Sequence, residues 1–239
     1  MTKPIFPFIR YTLPENAPAE VLPENAGLLA SNLRVLGQTF GVDMRRAIDD
    51  MVSATLFCEL YKQTTKTQKA KKPEVLLDAE LEEYFNNEVL YIEYSLCNDR
   101  FTEECVCRGD DHTMQGLVRL AMLLFHNTVF WGFYPLVGPF FALPVTTLEA
   151  ALQNTAEKGE VLVWVSFVGY CAARFLPKSR QFFLHSLVTA VREYNATTIT
   201  CTPGGAKVDS IDGFCALLQR HFYVERCYFE EAREVWQYL

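Results

Sequence analysis

The chain has 239 residues, half of them apolar, with 29 acidic and 22 basic side chains and a formal net charge of −7. At this length, folding buries roughly 70–75% of the surface that the unfolded chain exposes, so a core can form without disulfides or metal ions. The composition therefore excludes a disordered or fibrous protein and predicts a folded, acidic protein. The eight cysteines are widely spaced, and we expect most of them to be buried thiols in a reducing compartment.

The first 25 residues include five prolines, which predicts an extended arm that either lies on the surface of the domain or is loose. They lack the basic start and the long apolar run of a secretory signal. We expect residues 26–239 to form a single α-helical domain, because apolar residues then recur three to four positions apart. The first such repeats are Leu29, Leu33, Leu36 and Phe40, followed by Ile48, Met51, Val52, Leu56 and Leu60.

A basic segment at residues 62–73 interrupts this pattern. Five of the nine lysines lie there without an acidic neighbour, and removing their charge from the net −7 leaves −12 for the rest of the chain. We predict an exposed linker. Lys69, Lys71 and Lys72 have the density of a short nuclear-import signal, and a plain solvated linker is the alternative interpretation.

The helical period returns from Glu74 to Ile92, and the polar segment 98–111 is expected to be a surface loop. Residues 120–143 contain no charged side chain, and a segment of this length could span a membrane. The segment includes two prolines, however, and its helix-forming part covers only about residues 115–131. We therefore predict a buried bundle helix, followed by an aromatic loop, and no membrane span.

The aromatic loop is the predicted binding surface for a ligand. A concentration of aromatic side chains outside a helix can line a cavity for a small apolar molecule. The alternative is that the loop folds back and fills the bundle. The candidate residues are Phe130, Trp131, Phe133, Tyr134, Phe140 and Phe141.

The remaining segments also favour helices. Thr146 with Glu149 has the form of a capping box and predicts a helix that begins there. Residues 161–173 are almost wholly apolar, and a buried helix is favoured over a strand because no partner strand of similar strength exists. Residues 197–202 are β-branched and could pair locally, and two helices are expected after the turn at Pro203. The result is an all-α protein, an irregular bundle of about nine helices.

No catalytic, metal or nucleic-acid motif is recognisable in the chain. The spacing of Cys97, Cys105, Cys107 and His112 differs from that of the usual zinc sites, so no metal is predicted. His126 and His185 lie inside predicted helices, where a packed histidine is a simpler interpretation than a general base. The basic residues outside the linker are dispersed among acids, so we expect no cofactor and no direct contact with DNA.

Three stretches carry a resemblance to a known family. They are residues 116–129 (GLVRLAMLLFHNTV), residues 161–169 (VLVWVSFVG), and Arg180, Phe182, Phe183, Leu217, Leu218 and Trp236. In order and spacing, over residues 81–239, they resemble the regulatory region of fungal-specific transcription factors that carry a binuclear zinc cluster elsewhere in their chain. In physical terms, Trp164, Phe167, Phe183 and Trp236 should bury large aromatic surfaces, and Arg119 and Arg180 should tie helix ends together.

This resemblance implies a regulatory domain that binds a protein partner or a small apolar effector and has no enzymatic activity. It further implies a nuclear location, with the cytoplasm as the alternative. The chain departs from the family because it has no closely spaced cluster of six cysteines, so the expected form is a free-standing regulatory region. Two other classes of function stay open at this point: an enzyme with a site assembled from dispersed residues, and a membrane-associated helical protein.

Overall fold

The computed structural model describes residues 27–68, 79–97, 111–131, 142–201 and 207–239. Within these ranges the chain forms nine α-helices and no strand, which confirms the predicted all-α bundle. The helices are α1 (Ser31–Leu36), α2 (Val42–Gln68), α3 (Ala79–Leu96), α4 (Met114–Val129), α5 (Ala142–Asn154), α6 (Glu160–Ala172), α7 (Pro177–Cys201), α8 (Ile211–Gln219) and α9 (Glu225–Trp236). Short 3-10 turns follow α1 and α6.

Helices α4 and α6 form the centre of the bundle. Nearly every residue of both is buried, because their sequences are apolar on all sides and a helix of that kind is stable only when it is covered all round. Helix α6 packs against α7 and α4, and α4 also contacts α3 and α5. The prediction that residues 161–173 form a buried helix is thereby confirmed.

Helix α4 begins at a tight turn. The hydroxyl of Thr113 accepts a hydrogen bond from the backbone N–H of Gly116 at 3.3 Å, which is a normal N-terminal cap. A side chain at position 116 would clash with the backbone of Asp111, since an added Cβ would lie 2.6 Å from its carbonyl oxygen.

The described helices include none whose length and apolar content would let it cross a lipid bilayer.

The beginning of the described chain is joined by backbone hydrogen bonds to the segment that follows α8. Just before α1, the N–H of Ala30 donates to the carbonyl of His221 at 2.6 Å. The N–H of Asn32, in the first turn of α1, donates to the carbonyl of Arg220 at 2.9 Å. These bonds fix α1 to the end of α8, so both segments contribute to the same core.

Three predicted boundaries differ from the structure. Helix α2 continues to Gln68, so the first part of the predicted linker at 62–73 is helical; residues 42–68 contain neither glycine nor proline, and a polar sequence can continue an exposed helix. The rest of that linker and the proline-rich arm at 1–25 lie outside the described residues. The predicted loop at 98–111 also lies outside them, except for its last residue.

The other two differences concern threonines. Thr146 does not cap a helix but lies inside α5, where its hydroxyl donates to the carbonyl of Ala142 at 3.0 Å. Residues 197–201 belong to α7, and the hydroxyl of Thr197 donates to the carbonyl of Glu193 at 3.0 Å. A threonine hydroxyl that bonds back to the preceding turn is satisfied within the helix, which outweighs its preference for caps and strands.

Candidate functional site at the end of helix α4

The predicted aromatic surface begins where α4 ends. Phe130 and Trp131 are half-buried there, directly after Val129. The other four candidates, Phe133, Tyr134, Phe140 and Phe141, lie outside the described residues, as do the import candidates Lys69, Lys71 and Lys72. The described part of the candidate site is therefore the end of α4 and the side of α3 that faces it.

Phe130 joins this surface to the core. Its ring makes edge-to-face contacts with Phe85 of α3 at 6.0 Å between centroids and with Phe125 of α4 at 6.3 Å. Phe125 in turn contacts Phe222 at 5.1 Å and Tyr228 at 6.0 Å. Edge-to-face and tilted pairs are the favoured arrangements of aromatic rings. A continuous set of aromatic contacts thus connects the end of α4 with the first turn of α9.

His126 is the buried polar residue at this end of α4. Its Nε2 lies 2.8 Å from the carbonyl oxygen of Val89 on α3, and its ring is 5.2 Å from Phe130 and 6.1 Å from Trp131. Because a carbonyl can only accept a hydrogen bond, Nε2 carries the proton and Nδ1 is an acceptor. Burial lowers the pKa of His126 to about 4, although the hydrogen bond with Val89 acts in the opposite direction, so the ring is neutral at pH 7.

Two buried acceptors lie side by side in sequence without a hydrogen-bond partner. Within the described part of the chain, these are Nδ1 of His126 and Oδ1 of Asn127, on side chains that are 0% and 1% exposed. The Asn127 side chain makes a hydrogen-bonding interaction that raises the pKa of His126, although no contact with Nδ1 has the distance and angle of a full hydrogen bond. A buried unsatisfied polar group costs about 1–3 kcal/mol, so such an atom in a folded protein needs an explanation.

Glu93 supplies a carboxyl group beside the aromatic residues. It is half-buried on α3, and the Trp131 side chain hydrogen-bonds to it. Burial raises the pKa of Glu93 above its ordinary value, and the hydrogen bond from Trp131 opposes this increase. The Glu93 carboxyl group therefore fixes the position of the Trp131 indole at the start of the aromatic segment.

These groups suit the binding of an apolar molecule that carries a hydrogen-bond donor. The rings of Phe130 and Trp131 provide apolar surface, and the two unpartnered acceptors would take a hydroxyl or an N–H group. A ring with a pKa of about 4 is a weak base, so His126 is better suited to accept a hydrogen bond than to remove a proton. Among the described residues, no three histidine, cysteine or acidic side chains are close enough to hold a metal ion.

The residues that carry the family resemblance lie mainly in the core. Trp164, Phe167 and Phe183 are fully buried, as expected, and the indole N–H of Trp164 donates to the carbonyl of Phe222 at 2.8 Å. Trp236 is half-buried, at the edge of the core, where its ring lies 6.4 Å from Phe214. Their role in the structure is packing.

The two arginines of the resemblance tie helices together, as the sequence predicts. Arg119 donates to the carbonyl of Leu96, at the end of α3, at 3.2 Å and to the carboxylate of Asp111 at 2.9 Å. Arg180 on α7 donates to the hydroxyl of Tyr170 at 2.9 Å and to the carboxylate of Glu234 on α9 at 2.8 Å. Each guanidinium therefore connects segments that are distant in sequence.

Sequence reasoning missed Asn127 and Glu93 as members of this site. His126 is packed in the core and hydrogen-bonded through Nε2, as the sequence predicts, and its unpartnered Nδ1 is the feature that the sequence does not predict. One signal was present in the sequence: His126 and Asn127 are adjacent polar residues in the middle of a segment without charges.

Comparisons with known proteins give no match, either to a family model, to a curated protein or to a solved structure.

Proposed function

We propose that the chain is a non-enzymatic regulatory domain that binds a small, largely apolar effector at the end of α4. The observation that carries the proposal is the pair of buried, unpartnered acceptors: Nδ1 of His126, whose ring lies against Phe130 and Trp131, and Oδ1 of the adjacent Asn127. An effector with a hydroxyl or N–H group would satisfy these acceptors and cover the aromatic rings. This function agrees with the resemblance to the regulatory region of fungal transcription factors, which stays a prediction.

The position of the site supports a regulatory role. His126 already connects α4 to α3 through the carbonyl of Val89, so a molecule bound at Nδ1 would act on the contact between these two helices. Phe130 connects the same place to Phe125 and, through it, to Tyr228 on α9. An effector can shift an equilibrium between two conformations only through different contacts in each. The contact between α3 and α4 is the place where such a difference would arise.

Native mass spectrometry of the protein purified from a fungal host tests the proposal. We expect a mass above that of the polypeptide, which disappears on denaturation. Asn127→Leu should abolish the bound species, because it removes one acceptor while keeping the size of the side chain. Asn154→Leu is the matched control, since Asn154 is exposed at the end of α5.

Two results would contradict the proposal. The first is a wild-type protein whose native mass equals that of the polypeptide alone. The second is a bound species that Asn127→Leu retains to the same extent as Asn154→Leu. A bound protein in place of a small molecule would instead support the predicted alternative of a partner protein.

A nuclear location is the second part of the proposed function. It rests on the lysine-rich composition of residues 62–73. Replacing Lys69, Lys71 and Lys72 by alanine should move a fluorescently tagged protein from the nucleus to the cytoplasm of a fungal cell. Alanine at Lys158, Lys178 and Lys207 is the matched control. An unchanged distribution in the first variant would refute the import signal.

A further inference from the structure

Two cysteines from distant parts of the sequence contact the same arginine. Cys58 lies on α2 and Cys227 in the first turn of α9. The guanidinium of Arg226 places Nη1 2.9 Å from Sγ of Cys227 and Nη2 3.6 Å from Sγ of Cys58. Both residues are thiols in the structure. We propose that Cys58 and Cys227 form a redox-responsive pair that a small disulfide, such as oxidised glutathione, converts into a disulfide between α2 and α9.

The surroundings of Cys227 favour reaction at this sulfur first. A neighbouring arginine and the N-terminal turn of a helix both stabilise a thiolate, which is the nucleophilic form of cysteine. Cys227 is half-buried and therefore accessible in part, whereas Cys58 is only 4% exposed. This difference makes Cys227 the attacking thiol and Cys58 the thiol that resolves the intermediate.

Glu59 holds the arginine in contact with both sulfurs. Its carboxylate accepts a hydrogen bond from Nε of Arg226 at 2.7 Å, which leaves both Nη atoms directed at the cysteines. Burial acts to lower the pKa of Arg226, but Cys227, Glu59 and Cys58 together raise it above its ordinary value. The guanidinium therefore stays charged beside the sulfurs. The carboxylate offsets part of that charge, so the effect on the thiols is moderate.

The reaction requires two exchange steps. In the first, the thiolate of Cys227 attacks one sulfur of the small disulfide, forms a mixed disulfide and releases one small thiolate. In the second, the sulfur of Cys58 attacks the sulfur of Cys227 and expels the second small thiolate, which takes the proton from Cys58. Two protein thiols are oxidised to a disulfide, and one small disulfide is reduced to two thiols.

Three other described cysteines have a raised pKa. Burial raises the pKa of Cys171 well above its ordinary value, and it also raises the pKa of Cys215, which is half-buried on α8. Cys97 is exposed, but burial of its thiol and the nearby carboxylate of Glu93 raise its pKa too. At neutral pH these three are held as thiols, so they serve as internal controls for reactivity.

The test is oxidation of the native full chain with oxidised glutathione, followed by alkylation and tryptic mapping. Cys58 and Cys227 fall in separate tryptic peptides, 47–62 and 227–233, and each peptide contains a single cysteine. We expect these two peptides to become joined by a disulfide. Cys58→Ala should instead accumulate the mixed disulfide on Cys227, because the resolving thiol is missing.

Variants of Arg226 separate the proposal from chance proximity. Arg226→Gln should slow the cross-link about threefold, and Arg226→Lys should restore most of the rate. A rise of one pKa unit in the attacking thiol lowers its thiolate fraction about tenfold but raises the nucleophilicity of the remaining thiolate about threefold. The protein unfolded in urea is the control, in which the preference for this pair should vanish. In Arg226→Gln, trypsin no longer cleaves after residue 226, so Cys227 is followed in peptide 221–233. The proposal is overturned if the native wild-type protein yields no link between 47–62 and 227–233, or if Arg226→Gln links 47–62 to 221–233 as fast as wild type forms its own link.

Discussion

Two buried histidines illustrate how the core sets the charge of single residues. His126 contacts Val89 through Nε2, and His221 contacts the carbonyl of Leu217 through Nδ1 at 3.1 Å while its ring stacks on Trp164 at 5.9 Å. Burial lowers the pKa of both rings from 6.5 to about 4. Each histidine is therefore neutral in the folded protein under conditions in which it would be charged in the unfolded chain.

The stability of the protein should fall as the pH decreases from about 6.5 to about 4. In this window the unfolded chain binds a proton at each ring that the folded protein does not bind, so protonation favours unfolding. Each histidine contributes up to ~1.4 kcal/mol per pH unit to the loss of the free energy of unfolding. Urea unfolding at pH 7, 6 and 5 measures this slope.

Substitutions assign the slope to these residues. His126→Gln and His221→Gln should each reduce the pH dependence, because glutamine does not titrate and its amide can still hydrogen-bond to the carbonyl. His185→Gln, on the exposed face of α7, is the control for the substitution itself. Equal slopes in wild type and both buried variants would show that the histidines are not the cause.

Close packing between α6 and α7 is the clearest feature at the scale of elements. Gly169 on α6 faces the ring of Phe183 on α7 so closely that an added Cβ would overlap that ring. Phe183 is fully buried, so its ring cannot turn into solvent. Glycine is therefore required at this position by the neighbouring helix and not by its own backbone.

Gly169→Ala tests this packing because two effects predict opposite signs. Helix propensity alone would stabilise the variant by up to about 1 kcal/mol, whereas overpacking against Phe183 should destabilise it by about 1–3 kcal/mol. We expect a net loss in the free energy of unfolding, measured by urea titration. Gly27→Ala is the control, since nothing lies within 4 Å of its added Cβ.

A second substitution shows whether the ring is the cause. Phe183→Leu should destabilise the wild-type protein by creating a cavity, but it should cost less in the Gly169→Ala background, where it relieves the overlap. Additive effects of the two substitutions would contradict the packing explanation.

The same elements show how far sequence reasoning reaches. Helices α4 and α6 could be predicted because their apolar character determines both their type and their burial. The end of α2 could not, because a run of lysine, threonine and glutamine is equally compatible with an exposed helix and with a linker. The position of Thr146 inside α5 was also not predictable, since its capping pattern competes with a hydrogen bond to the preceding turn.

At the scale of the whole molecule, the charge distribution bears on the partners. The net charge is −7, and it becomes −12 without the five lysines between residues 62 and 72. An acidic surface repels the phosphates of DNA, whose binding by proteins depends on neutralisation by lysine and arginine. This property agrees with the proposed function, in which the chain itself does not contact DNA.

Fluorescence anisotropy with a random-sequence DNA duplex at low salt should show no saturable binding below a protein concentration of about 10 µM, which is the middle of the usual range of nonspecific affinities. The variant with alanine at Lys69, Lys71 and Lys72 is the control for the basic segment. Saturable binding by wild type that this variant loses would contradict the expectation and assign DNA contact to that segment.

The candidate site could be predicted only in part from the sequence. The concentration of aromatic residues from Phe130 onwards indicates a surface for an apolar molecule. The hydrogen-bonding groups depend on which atom of His126 contacts α3 and on the burial of Asn127, which are consequences of tertiary packing. The proposal of an apolar effector with a donor group therefore rests on tertiary contacts as well as on the sequence.

A crystal structure of the protein purified from a fungal host tests the central claim most directly. The account predicts electron density for a non-protein molecule that covers the rings of Phe130 and Trp131 and places a donor within hydrogen-bonding distance of Nδ1 of His126. Density that shows only ordered water, or a protein group from residues 132–141, satisfying Nδ1 of His126 and Oδ1 of Asn127 would contradict effector binding at this site.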